Sequence, residues 1–276
     1  MSASSNPTEN SSNNQQQRTY VITGAGSGIG LATTNLLRER GARVVGVDLR
    51  GADVEADLST AAGRKEAAEL ALTAADGKID AVIACAGISA PIPLTVSVNF
   101  FGVTEFLQHL APALAKSASP RAVVVSSMAS LQPNSPELVE AQLAGDEEKA
   151  VAIGATLAAS GPEAGYLNYP SSKRALSRWV RRESITPTWA GAGIPLNAVA
   201  PGTVISPMTE QLLATEEGRT MVDSHVPMPL NYHSEAIVIS KLLAWLTSEE
   251  NTHTTGQTIY TDGGADASLR GDNIWD

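Results

Sequence analysis

The sequence predicts an α/β fold: one doubly wound, mostly parallel sheet of seven strands with helices on both faces. Three observations carry this. Near-continuous apolar runs such as Arg121-Ala122-Val123-Val124-Val125 suit strands buried on both sides, as a parallel sheet requires. Strand-like and helix-like stretches alternate from Thr19 to the C-terminus, the order that builds crossover connections. The first strand also flows through a glycine turn into a helix, which is the order of a phosphate cradle. No linker divides residues 19–276, so one domain is expected.

Composition sets the outer bounds. A chain of 276 residues that is 43% hydrophobic can bury a full core. With 19 basic and 29 acidic residues, net charge −10, it is a poor partner for nucleic acid or an anionic membrane surface. One cysteine, Cys85, excludes an internal disulfide framework and fits a reducing compartment. No apolar run reaches ~18 residues, and the N-terminus lacks a basic-then-apolar signal pattern. A soluble, cytoplasmic protein is expected.

In chain order, residues 1–18 are Ser/Asn/Gln-rich and read as a disordered tail. Thr19–Thr23 is the first strand. Gly24, Ser27, Gly28, Ile29 and Gly30 then form the glycine turn and helix start that would hold a pyrophosphate, and the helix runs on to Gly41. Arg43–Val47 is a second strand, ending on Asp48. That is the offset at which an acid meets the adenosine ribose and repels a 2′-phosphate, which favours NAD over NADP. Arg50 is the counter-signal. Asp57 closes the short strand Val54–Leu58; it either holds the adenine amino group or caps the following helix. Ala81–Gly87 reads as a buried strand opening into a glycine turn, with Cys85 a small core residue. Pro91–Leu94 is an apolar loop, and Asn99 sits on a helix from Val96 to Leu114, where asparagine is mildly unfavourable.

Ser126-Ser127 falls at the C-terminal end of the Arg121–Val125 strand, the edge at which open α/β sheets place ligands. Residues 128–168 form an acidic, alanine-rich insert with two helices, from Pro136 to Ala144 and from Asp146 to Ala158. It reads as a lid, as an obstacle to subunit packing, or as a neutral surface excursion. A helix from Pro170 to about Trp189 follows, with Arg174, Arg178, Arg181 and Arg182 forming a solvated face that pairs locally. The next strand, Pro195–Val199, leads into Pro201-Gly202-Thr203. Pro207–Leu230, rich in methionine and proline, is consistent with a flap, and Gln257–Thr261 is the last strand. The four histidines show no ligand spacing, so no metal is expected.

The chemistry centres on Asn168-Tyr169-Pro170-Ser171-Ser172-Lys173. On a helix, a tyrosine four residues before a lysine sets phenol and ammonium on one face. Bringing a phenol from pH ~10 to pH ~7 takes roughly 4 kcal/mol. An ammonium at ~4 Å and an effective dielectric of ~20 supplies about that much. The expectation is that Lys173 makes Tyr169 a proton carrier.

These motifs together resemble the short-chain dehydrogenase/reductase superfamily over essentially all of residues 19–264: TGAGSGIG at Thr23–Gly30, Asp48, Asp57-Leu58, ACAG at Ala84–Gly87, Asn99, Ser126-Ser127, YPSSK at Tyr169–Lys173, and Pro201-Gly202. GVDLRGADVEADLSTAAGRKEA, VSVNFFG and the long insert are similar to the family's bacterial hydroxysteroid dehydrogenase/carbonyl reductase branch. The resemblance implies a Rossmann-type fold and assigns roles. Tyr169 is the acid/base, Lys173 its modulator and a ribose ligand, Ser127 the group that holds the substrate oxygen, and Asn99 the holder of a water linking Lys173 to solvent. To the cofactor residues above it adds Leu49, Leu58, Ala86, Gly87, Pro201, Gly202, Thr203, Val204 and Ser206. Three departures stand out: ACAG replaces the family's NNAG, so Ala84 and Cys85 cannot make the asparagine contacts; Ser206 stands where the family usually has threonine, which keeps the hydroxyl; and the insert is longer than usual.

The expected activity is NAD-dependent interconversion of a secondary alcohol and its ketone. Ser89, Ile92, Met128, Met208 and Leu212, with Ile88 and Pro91, are the expected substrate walls. They are mostly apolar, which suits a bulky ring-bearing substrate: a hydroxysteroid, an alicyclic ketone or an aryl alcohol. A homo-oligomer, dimer or tetramer, is implied. The alternatives are a non-catalytic dinucleotide sensor, an NADP-dependent carbonyl reductase, or a redox-neutral epimerase or dehydratase. The last usually has a longer C-terminal substrate domain.

Overall fold

The computed structural model describes residues 17–274. Seven parallel strands form the main sheet: β1 (Thr19–Thr23), β2 (Arg43–Asp48), β3 (Val54–Glu55), β4 (Ala81–Ala84), β5 (Arg121–Val125), β6 (Leu196–Pro201) and β9 (Thr258–Thr261), ordered β3-β2-β1-β4-β5-β6-β9. The order reverses between β1 and β4, so their C-terminal ends open a crevice. A second, two-stranded sheet pairs β7 (Val204–Ile205) with β8 (Ser234–Glu235).

Side-chain alternation explains the two layers. Val21, Val45, Val82 and Val124 face one apolar cluster. Their sequence neighbours Tyr20, Val44, Ile83 and Val123 face the other. On the second face lie α1 (Gly28–Glu39) and α11 (Ala236–Leu246), packed on each other. On the first lie α2 (Ala61–Ala74), α4 (Gly102–Leu114) and α8 (Asn168–Glu183). α4 does not begin as one regular helix: α3 (Leu94–Val96) joins it through a π-helical turn, Ser97–Phe101. A helix period of 3.6 cannot register that extra residue, so the sequence gives no hint of it. α8 stops at Glu183, not Trp189. Trp189 is 1% exposed and packs edge-on against Trp179, ring centroids 6.0 Å apart.

The insert contains α5 (Pro136–Leu143), α6 (Glu147–Ala159) and a third, unforeseen helix α7 (Pro162–Tyr166). Ser135 and Asp146 cap the first two through the backbone N–H groups of Leu138 and Lys149. The insert is not a neutral excursion, because Leu138, Val139, Ala141, Leu143 and Ala150 all belong to the main core. Arg178, Arg181 and Arg182 on α8 are exposed, and the arginine face pairs locally, as expected. Arg174 donates to Ser130 O at 2.5 Å, Arg178 pairs with Glu140 at 2.6 Å and Arg182 donates to Leu143 O at 2.9 Å. The flap holds two short helices, α9 (Glu210–Leu213) and α10 (Glu216–His225), and α12 (Ala265–Arg270) closes the described chain.

Most of the expected N-terminal tail, residues 1–16, lies outside the described residues. Arg18 does not belong to any tail. Its Nη2 donates to Asp80 O, Ser119 O and Thr247 O at 3.0–3.2 Å. No helix among the described residues is long and apolar enough to cross a membrane.

Candidate active site

A cavity of about 520 Å³ runs along the crevice from the glycine turn to Tyr169 and Lys173, within the range of small-molecule and cofactor sites. Its floor follows from local chemistry. Gly24 has φ +70°, and a Cβ there would lie 2.9 Å from Ala86 N. A Cβ on Gly30 would come 2.0 Å from Gly24 O. The turn therefore closes only with glycine, and it delivers the N-terminus of α1 to the cavity beside Ser27, Gly28 and Ile29. That end has no acidic residue in its first turn and carries the partial positive charge an anion needs. The donor set and the close approaches fit a dinucleotide pyrophosphate.

At the far end, Asp48 lines the cavity with one oxygen accepting from Gly26 N at 2.9 Å and the other from Leu49 N at 2.7 Å. Leu49, Asp57 and Leu58 line the same end, whereas Arg50 is exposed and outside the lining. Asp57 is not the helix cap. Thr60 caps α2 by accepting from Gly63 N, while Asp57 accepts from Ser59 N at 2.8 Å. Midway, Ala86 and Gly87 line the cavity, followed by Pro201, Gly202, Val204 and Ser206. Thr203 is 6% exposed and does not line it.

Ser127, Tyr169 and Lys173 meet at the C-terminal end of β5. The Ser127 oxygen accepts from Ala129 N at 3.1 Å, which leaves its proton to donate into the cavity. Its neighbour Ser126 is turned the other way: its hydroxyl donates to Lys173 O at 3.0 Å and lies 2.8 Å from Ser177 Oγ, stitching β5 to α8. Lys173 Nζ donates to Val125 O at 2.8 Å and sits 5.8 Å from the Tyr169 ring centroid. Asn99, fully buried in the π turn, accepts from Ile88 N and donates to Ile88 O, both at 2.8 Å. One acceptor and one donor position of its amide are thus committed to the backbone of Ile88. A Cβ on Gly87 would lie 3.1 Å from Asn99 Oδ1 and 3.5 Å from Lys173 Nζ.

The electrostatics correct one expectation. Burial pushes the Tyr169 phenol above its ordinary value, and hydrogen bonding with Ser127 only partly opposes that. Lys173 is itself pushed down by burial to about 8. Lys173 Nζ, 5.8 Å from the Tyr169 ring centroid and bonded to a carbonyl, does not offset the effect of burial on the phenol. Cys85, which lines the cavity, is pushed up to about 12 by burial and stays a neutral thiol.

Of the expected substrate walls, Ile88 and Met208 line the cavity. Ser89, Pro91, Ile92 and Leu212 are exposed outside the lining, and Met128 is 2% exposed in the interior. Leu94, Val98, Pro207 and Thr209 line it instead. Val98 owes its placement to the π turn, so helical periodicity could not identify it. No group of three or more His, Cys, Asp or Glu that could hold a metal occurs among the described residues.

Residues 18–140 match the family model for short chain dehydrogenases, and residues 137–266 match that for enoyl-(acyl carrier protein) reductases. The chain is 38% identical over 255 residues to the 3-alpha-hydroxysteroid dehydrogenase/carbonyl reductase of Comamonas testosteroni, covering 91% of this chain and 97% of that protein. It is 28% identical over 274 residues to a 3-oxoacyl-[acyl-carrier-protein] reductase of Thermotoga maritima, covering 88% and 96%. The crystal structure of a 3-alpha-hydroxysteroid dehydrogenase from Pseudomonas sp. B-0831 complexed with NADH superimposes with a TM-score of 0.84 at 37% identity, covering 93% of this chain and all of that one.

Proposed function

The chain belongs to the short-chain dehydrogenase family, and we propose that it interconverts a bulky, ring-bearing secondary alcohol and its ketone using NAD. One observation carries the reading: Ser127, Tyr169 and Lys173 converge on the end of a cavity whose other end is a glycine cradle. When bound, the nicotinamide group supplies the hydride acceptor. The chain's own residues do the rest. The Ser127 hydroxyl donates to the substrate oxygen, and Tyr169, as the phenolate, takes the alcohol proton as the carbinol hydride leaves; the positive charge of an oxidised nicotinamide ring would add to that of Lys173 in favouring the phenolate. Lys173, tethered to Val125 O, holds its charge on the cofactor side of the phenol.

NAD is favoured because Asp48 presents a carboxylate at the adenosine end, where a 2′-phosphate would be repelled, and Arg50 stands outside the lining. The structural relative with NADH points the same way. A ring-bearing substrate is favoured by the apolar mouth of Ile88, Leu94, Val98 and Met208, and by the relative named for hydroxysteroids and carbonyls. The test is Tyr169→Phe, assayed by dinucleotide absorbance over steroid, alicyclic and aryl alcohols with NAD and NADP in parallel. Turnover should fall about 10²- to 10⁴-fold while calorimetric NAD affinity stays near wild type. Retained turnover would remove Tyr169 from the mechanism, and equal rates with both dinucleotides would remove the NAD assignment.

A further inference from the structure

Arginine is seldom found fully buried unless its charge and all its donors are met. Arg64, on the first turn of α2, is fully buried, and every one of its five N–H groups has a partner. Nε donates to Leu58 O at 3.0 Å. Nη1 donates to Glu105 at 2.9 Å and Glu147 at 2.7 Å. Nη2 donates to Ser59 O at 3.0 Å and to the second Glu147 oxygen at 2.5 Å. The Phe101 ring lies 5.7 Å from the guanidinium carbon. Glu147 opens the insert helix α6, so one fork of this arginine grips the insert, two donors grip a loop, and the remaining one holds Glu105 on α4.

That loop, Asp57-Leu58-Ser59, lines the adenosine end of the cavity, and neither Glu105 nor Glu147 reaches the lining. The loop is wedged from its other sides as well. A Cβ on Gly63 would lie 2.0 Å from Asp57 O, and one on Gly102 would lie 3.1 Å from Leu58 O. With two successive carbonyls pinned on Arg64, the loop holds one conformation before any ligand arrives. That is where affinity gains from preorganisation.

We propose that Arg64 is a positioning residue for the adenosine end of the dinucleotide site, and that its bidentate pair with Glu147 makes the insert a working part of that site. This rests on the dinucleotide reading of the cavity. Lysine cannot substitute for it, because three donors on one nitrogen cannot span two carbonyls and a carboxylate edge.

The test uses the full chain with Arg64→Lys and Glu147→Gln, titrated by calorimetry with NAD, AMP and nicotinamide mononucleotide, alongside steady-state kinetics. AMP and NAD dissociation constants should rise about tenfold in Arg64→Lys and severalfold in Glu147→Gln. Nicotinamide mononucleotide affinity and kcat at saturating NAD should stay within about twofold. A purely structural role would lower the melting temperature and leave AMP affinity unchanged, and that result in either folded variant overturns the proposal. If Arg64→Lys does not fold, Glu147→Gln decides alone. Wild-type protein that binds neither NAD nor AMP would instead defeat the dinucleotide reading itself.

Discussion

Lys173 is a buried ammonium that donates to Val125 O, and its titration carries a stability prediction. Its pKa falls from 10.5 unfolded to about 8 folded. The folded state therefore prefers the neutral amine. Above pH 10.5 both states are neutral and nothing is lost; as pH falls from 10.5 toward 8 the unfolded chain binds a proton that the folded protein does not, which favours unfolding. Stability should rise between pH 8 and pH 10, by up to about 3 kcal/mol at about 1.4 kcal/mol per unit. Higher still, the raised Tyr169 phenol works against the fold. Lys173→Met should flatten the rise. At pH 7 it should also stabilise the protein by roughly 2 kcal/mol, since the burial penalty removed exceeds the ~1 kcal/mol of a lost hydrogen bond. Urea midpoints at a series of pH values check both, and an unchanged slope in the variant would assign the effect elsewhere. Tyrosine and lysine were legible from their spacing. Their burial was not, because four residues of sequence say nothing about how much water remains around a helix.

At the scale of elements, the insert shows which kind of contact holds a segment in place. Its ion pair Arg178–Glu140 is short, but both side chains are more than half exposed, so solvent screens it and its worth is under about 1 kcal/mol. Leu138 on the same helix is fully buried in the main core, and truncating such a leucine costs about 2–5 kcal/mol. Leu138→Ala should therefore destabilise the protein several times more than Arg178→Ala in equilibrium unfolding. Equal effects would mean that the insert is held by charge and not by packing. The first two insert helices were readable from Pro136-Glu137-Leu138 and from Asp146, because helix starts are local chemistry. The five-residue α7 was not, since a single turn after Gly161-Pro162 shows no periodicity. The strands were readable for a different reason: burial on both faces leaves an unbroken apolar run that no exposed strand would carry.

Across the whole molecule, the residues that sequence reading missed are those whose meaning depends on distant partners. Arg64 joins three elements and the insert, and Arg18 ties together points 62, 101 and 229 residues away. At Arg18 the carbonyl of Asp80, before β4, meets that of Ser119, before β5, and that of Thr247, at the end of α11. The N-terminal edge of the sheet is fastened to its helical layer there. The ring of Tyr20 lies 5.7 Å from the guanidinium carbon. Its ion-pair partner Glu249 is 3.5 Å away and 66% exposed, so that pair contributes little. The carbonyl bonds should dominate, at about 1.5–3 kcal/mol for a charged donor before discounting for shared geometry. Arg18→Ala should lower unfolding free energy by about 2–4 kcal/mol, and Glu249→Ala by under about 0.5 kcal/mol. Arg18→Lys should recover less than half of the loss, because all three carbonyls meet at the distal nitrogen Nη2, one bond farther out than a lysine ammonium reaches. Full recovery by lysine would show that the reach of the guanidinium does not matter here, and thermal unfolding of the three variants at two salt concentrations checks the small share of the Glu249 pair.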